Sequence, residues 1–119
     1  MLRYRLSAAA QADVVEILAW TQEQFGNAAR LRYQALIVAA LRDIAAQPDR
    51  PGSIDRPELG AGVRSWHLQL SRDRAGAGIV RRPRHFVIYR ARPGVVVVGR
   101  VLHDAMELTR RLGTGTSWE

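Results

Sequence analysis

Leu2-Arg3-Tyr4-Arg5-Leu6 alternates apolar and charged residues at a period of two, which predicts a short strand with one wet face. Ser7 follows where a helix N-cap belongs, ahead of Ala8-Ala9-Ala10. Ala10, Val14, Ile17, Leu18, Thr21 and Phe25 then fall on one helical stripe, while Asp13, Glu16 and Glu23 lie off it. Gly26 suits the end of that helix, and Asn27 suits the cap of the next. A second stripe of Ala29, Tyr33, Leu36, Ile37, Ala40 and Ile44 runs until Pro48 stops it. Two long amphipathic helices with so short a joint must fold back into an antiparallel hairpin.

Residues 49–62, holding Pro51, Gly52, Pro57, Gly60 and Gly62, read as a loop on composition. Three strands are expected after it. Residues 63–70 alternate, with Trp66, Leu68 and Leu70 on one face; residues 85–91 and 95–102 follow, joined by a tight Arg92-Pro93-Gly94 hairpin. Between the first two strands lies a glycine-rich stretch, residues 71–84, with five arginines against one acid. Such a stretch reads as a mobile loop. A last helix over residues 104–112 should end at Gly113, and residues 114–119 should fray. The order is βααβββα, an α+β fold with a helical hairpin on a small, mostly antiparallel sheet. Trp20 and Trp66 are expected in its core, and Trp118 has no assigned place.

At 119 residues and 13.3 kDa the chain holds material for one domain, residues 1–119, rather than two. Its 47% hydrophobic and 24% charged residues are those of a globular protein. No apolar run approaches the roughly 20 residues a membrane span needs, so no membrane partner is expected. The N-terminus lacks the apolar core of a signal peptide, which predicts a cytoplasmic chain. The absence of cysteine excludes disulfides, a thiol nucleophile and thiolate metal sites.

Charge changes the picture more. Residues 1–62 carry seven arginines and seven acids; residues 63–119 carry eleven arginines against four acids, which supplies the whole net charge of +7. An anionic partner for the second half is implied, either nucleic acid or an acidic protein segment. There is no lysine. The 17 alanines beside the 18 arginines point to a compositional bias that explains arginine over lysine, though not its uneven placement.

The sequence has no glycine-rich phosphate loop after a strand, no His-x-x-x-His pair and no zinc spacing, so neither cofactor nor metal is expected. His67, His85 and His103 are too scattered to mark a metal site. No serine sits in a nucleophile elbow. The arginines near the sheet remain. If the three strands form a meander, Arg64, Arg90, Arg100 and His103 approach one another. Such a cluster could stabilise the charge of a phosphorane-like transition state in RNA cleavage, with His103 as general acid. The simpler reading is that the cluster pairs with acids or holds a partner's carboxylates. Arg82 and Arg110 join these four as candidates for partner binding.

The residues that carry a resemblance come in four pieces. Tyr4, Leu6, Ser7, Ala10, Asp13-Val14, Glu16-Ile17, Trp20-Thr21 and Phe25-Gly26 form the first; Gly62-Val63-Arg64-Ser65 the second. The run from Arg84 to Arg90 and the run from Arg100 to Leu108 are the third and fourth. In that order and spacing the chain resembles the ParE branch of the RelE/ParE toxin superfamily over residues 4–112. The resemblance implies a toxin of a type II toxin–antitoxin module, with the βααβββα fold already read. ParE-type members inhibit DNA gyrase, whereas RelE-type members cut messenger RNA on the ribosome. Both are neutralised by a small antitoxin whose C-terminal segment wraps the toxin, here a ParD-like one, often in a hetero-oligomer. The missing lysines favour a gyrase inhibitor without enzymatic activity. Arg64, Arg90, Arg100 and His103 lie near places where ribonuclease relatives keep catalytic groups, so that alternative stays open. A binding module with only antitoxin recognition left is the third. The antitoxin's expected seat is the apolar surface of the helical hairpin and neighbouring sheet.

Overall fold

The computed structural model describes residues 2–76, 78–105 and 118–119. The expected terminal helix falls outside them beyond Ala105, as does Arg110. Within them, β1 (Arg3–Leu6) leads into α1 (Ala8–Phe25) and α2 (Asn27–Ala46), followed by β2 (Ile54–Asp55), β3 (Val63–His67), β4 (His85–Arg92) and β5 (Val95–His103). The sheet order is β1-β5-β4-β3-β2. β1 runs parallel to β5, and the other pairings are antiparallel. This is the expected α+β arrangement, with the hairpin of helices on one face of the sheet.

Local chemistry explains the helix ends. Ser7 caps α1, its hydroxyl accepting from the Ala10 N–H at 3.0 Å and donating to Gly99 O at 2.8 Å. A single residue, Gly26, joins the helices. Its φ of 91° is open to glycine at little cost, and its N–H closes α1 on Gln22 O. Asn27 is therefore not a cap as expected: it already lies in the first turn of α2, where its side chain accepts from Arg30.

Other expectations change as well. Residues 49–62 are not only a loop, because they add the edge strand β2 and a 3₁₀ turn at Pro57–Leu59. Arg56 ties this segment to β3 through Val63 O and Ser65 Oγ. β3 stops at His67, and Leu68–Arg74 winds into a 3₁₀ helix that leaves Leu70 43% exposed. The cause is a buried network: Asp43 on α2 accepts from Ser71 Oγ at 2.6 Å and Arg74 Nε at 2.8 Å, while Trp66 Nε1 donates to Ser71. Arg50 completes it, pairing with Asp43 and lying over the Trp66 ring. A straight β3 would carry Ser71 and Arg74 away from the carboxylate.

The sheet packs on both sides. Toward the helices, Val87, Tyr89, Val96, Val98 and Val101 meet Ala10, Ile17, Leu36, Ile37, Ala40 and Ile44. Each fully buried aliphatic side chain there contributes roughly 1.5–3 kcal/mol. Trp66 is buried with them, as expected, but Trp20 is 54% and Phe25 68% exposed. Beyond Thr21, α1 faces an open groove instead of strand side chains. On the other face Val63, Phe86, Ile88 and Leu102 form a smaller cluster, with Leu59 and Trp118 against it. The tail expected to fray is docked where it is described: Arg5 donates to Trp118 O, and the Ala8 N–H donates to Glu119 O at 2.6 Å.

Gly99 makes that docking possible. Tyr89 pairs with Val98 and Ile88 with Arg100, so Gly99 is the extra residue of a β-bulge. A Cβ built at Gly99 would stand 2.6 Å from the Trp118 ring.

Two outcomes follow for stability. Asp43→Ala strands Ser71 and two guanidiniums, and should lower the unfolding free energy in urea by roughly 3 kcal/mol. Gly99→Ala should evict Trp118, seen as a red shift of tryptophan emission. Trp118→Ala should cancel most of the stability cost of Gly99→Ala in a double-mutant cycle.

Candidate functional site

A groove of about 930 Å³ opens where the end of α1, the start of α2, the edge of the sheet and residues 79–84 meet. Its walls are apolar: Ile17, Trp20, Thr21 and Phe25 from α1, and Ile79 and Val80 from the segment before β4. Arg32, Arg81, Arg82 and Arg84 line it as well, with Glu16 as the acid. The arginine-rich loop thus takes part in the site, and Gly78 lets it lie against the Arg32 stem.

The floor is Tyr33, His85 and His103. β4 and β5 set the two histidines opposite each other in register, with ring centroids 5.3 Å apart, edge to face. The bulge decides this arrangement. Val96 and Val98 face the helices, so strict alternation would send His103 to the other side; the extra residue at Gly99 returns Val101 and His103 to the helix side.

Hydrogen bonds set the tautomers. The Arg84 N–H donates to the Tyr33 hydroxyl, which itself stands 2.6 Å from His85 Nδ1. We assign the Tyr33 O–H as the donor to Nδ1, the direction that uses its one proton, and neutral His85 then carries its own proton on Nε2. Burial, opposed by the Arg84 N–H, pushes the Tyr33 phenol up to about 12, so it stays a donor. Burial above all, with His103 beside it, lowers His85 to about 4. His103 Nδ1 accepts from the Ala105 N–H, and His67 Nδ1 from the Gln69 N–H, so each of these also carries Nε2–H when neutral. His67 spends that proton on Asp104 at 3.1 Å. Asp104 also holds Arg84 at 2.9 Å, and these contacts, Arg84 first, bring its carboxyl down to about 2.

The candidates read from sequence separate here. His103 and Arg82 line the groove. Arg64 donates to Ser53 Oγ at 2.7 Å and lies near Asp55, at the far end of β3. Arg90 lies on the opposite face, its guanidinium 4.6 Å from the Trp118 ring centre. Its Nε is buried without a hydrogen-bond partner among the described residues, and burial lowers its pKa. Arg100 forks onto Asp13 at 2.7 and 2.9 Å, which raises its pKa; Asp13 also takes the Val101 N–H where β5 outruns β1. The expected convergence of Arg64, Arg90, Arg100 and His103 does not occur. Neighbouring register pairs put Arg64 and Arg90 on opposite faces, and Asp13 claims Arg100. Sequence reading missed Tyr33, His85, Arg84 and Ile79. The one available signal was an isolated isoleucine in a glycine- and arginine-rich loop.

Among the described residues no three His, Asp or Glu side chains are grouped to hold a metal ion. No helix of the described residues is long and apolar enough to cross a membrane.

Comparison with known proteins adds three findings. The family described as ParE toxin of type II toxin–antitoxin system, parDE, matches residues 4–108. No curated protein sequence matches the chain. Among solved structures, a chromosomal ParDE toxin–antitoxin system from P. aeruginosa is similar with a TM-score of 0.62, covering 87% of this chain and 96% of that one at 16% identity. At that identity the likeness concerns the fold.

The lowered His85 pKa makes stability depend on pH with a definite sign. Between its ordinary value of 6.5 and about 4, the unfolded chain takes up a proton that the folded chain refuses. Folding stability contributed by this group is therefore intact above pH 6.5 and falls as pH drops through that window, by at most about 1.4 kcal/mol per unit. Urea unfolding at pH 7, 5.5 and 4.5 measures the slope, and His85→Gln should flatten it.

Proposed function

This chain belongs to the ParE toxin family of type II toxin–antitoxin systems, and from that premise we propose that it arrests growth in the cytoplasm by binding DNA gyrase. A ParD-like antitoxin neutralises it by laying an acidic, amphipathic segment in the groove. The observation that supports the second half is the groove itself. Exposed Trp20, Phe25 and Ile79 offer pockets for apolar anchors spaced along a helix, and Arg32, Arg81, Arg82 and Arg84 border them with positive charge. An exposed apolar patch with a charged rim is the form of a surface built to be covered.

Dispersal of the arginines supports the gyrase reading over messenger RNA cleavage. His103 stands apart from Arg64, Arg90 and Arg100, each of which is engaged elsewhere. The four residues read from the sequence as a cleavage centre therefore share no single phosphate site. Family membership then favours inhibition by binding.

A supercoiling assay with purified gyrase tests the target: stoichiometric toxin should block supercoiling, and undiminished supercoiling in excess toxin refutes it. The antitoxin seat is tested with a ParD-like antitoxin, a small acidic, helix-forming protein to be sought in a reading frame beside the toxin gene. Ile79→Asp places a carboxylate against an incoming acidic segment and should weaken that complex about a hundredfold. An unchanged complex moves the antitoxin off this surface.

A further inference from the structure

The two imidazoles on the groove floor have unspent donors. Nδ1 of His85 and of His103 is occupied by the Tyr33 hydroxyl and the Ala105 N–H. Neither Nε2 has a hydrogen-bond partner among the described residues, and neither is sealed from solvent. In a groove that both residues line, these Nε2–H groups open onto it. The edge-to-face packing at 5.3 Å holds the rings together, Tyr33 on α2 fixes His85, and the Ala105 N–H fixes His103. Two fixed donors in a groove that Arg82 also lines make a receptor for a negatively charged oxygen.

We infer that His85 and His103 form an oxyanion subsite in the floor of the groove, and that in the toxin–antitoxin complex it takes one side-chain carboxylate of the antitoxin segment. This rests on the antitoxin reading given above. A protein carboxylate fits better than a nucleotide phosphate because apolar Ile17, Trp20, Phe25 and Ile79 line the same groove as the pair and match the apolar face of an amphipathic segment. An amphipathic helix can set one Glu among its apolar anchors to meet such a point. The subsite would give the complex register: apolar side chains slide along apolar walls, whereas a carboxylate satisfied by two donors in one place does not.

His67 is an internal control, since its Nε2–H already belongs to Asp104. The experiment is a long-range proton–nitrogen correlation spectrum of the full 15N-labelled chain, titrated with sodium acetate against sodium chloride at matched ionic strength. The Nε2 signals of His85 and His103 should move saturably with acetate while His67 stays still. Equal movement of all three, or none, overturns the subsite. Two helical peptides identical but for a central Glu or Gln form the second arm. The chain should prefer the Glu peptide by about tenfold, and His103→Phe, which keeps the ring but removes the donor, should abolish the preference. The unmoved His67 signal reports that this variant is folded. If thymidine 5′-monophosphate shifts the pair and the Glu peptide does not, the carboxylate assignment falls. Acetate binding without antitoxin binding would sink the antitoxin reading and leave the oxyanion subsite standing. Antitoxin held equally well by His103→Phe would do the reverse.

Discussion

One extra residue in β5 governs the molecule. Gly99 breaks the period-two alternation, and everything after it faces the side opposite to the one its position would otherwise dictate. Val101 joins the core beneath the helices, Leu102 joins the cluster on the outer face, and His103 turns toward the groove. The missing side chain also leaves the space that the Trp118 ring fills. A single bulge thus couples the packing of both faces to the composition of the site.

A second constraint is how the acids are placed. The first half of the chain has enough carboxylates to match its own arginines, yet Asp13 and Asp43 reach across to arginines of the second half. Asp13 forks onto Arg100 and also takes the N–H of Val101 at the unprotected edge of β5, which closes a site where another strand could pair. Asp43 holds Arg50, Arg74 and Ser71, and thereby anchors the start of the arginine-rich loop on α2. These bonds take arginines away from any common cluster. Positive charge remains concentrated along residues 81–84, beside the apolar walls of the groove.

The groove itself arises because α1 continues past the part of the sheet that supports it. Ala10, Ile17 and Thr21 are buried, but the next turns of the same stripe have no strand beneath them. Trp20 and Phe25 contact each other edge to face at 5.7 Å, forming a wall instead of a core. The loop that follows the 3₁₀ helix supplies the opposite wall with Ile79. A helical hairpin packed on a sheet shorter than itself leaves such a cleft at its joined end.

Periodicity along the chain was enough to determine β1, both helices, the hairpin of β4 and β5, a short joint at Gly26 and most of the apolar core, because those features depend on neighbours within a few residues. The resemblance in Tyr4 to Phe25 and in Arg84 to Leu108 led to the family for the same reason: local spacing survives in the sequence. Which arginines would meet could not be read that way. It depended on a bulge that one glycine introduces, on Asp13 and Asp43 competing for distant guanidiniums, and on how far α1 overhangs the strands. Those are contacts between residues 28 to 88 positions apart, and only the folded arrangement brings their partners into reach.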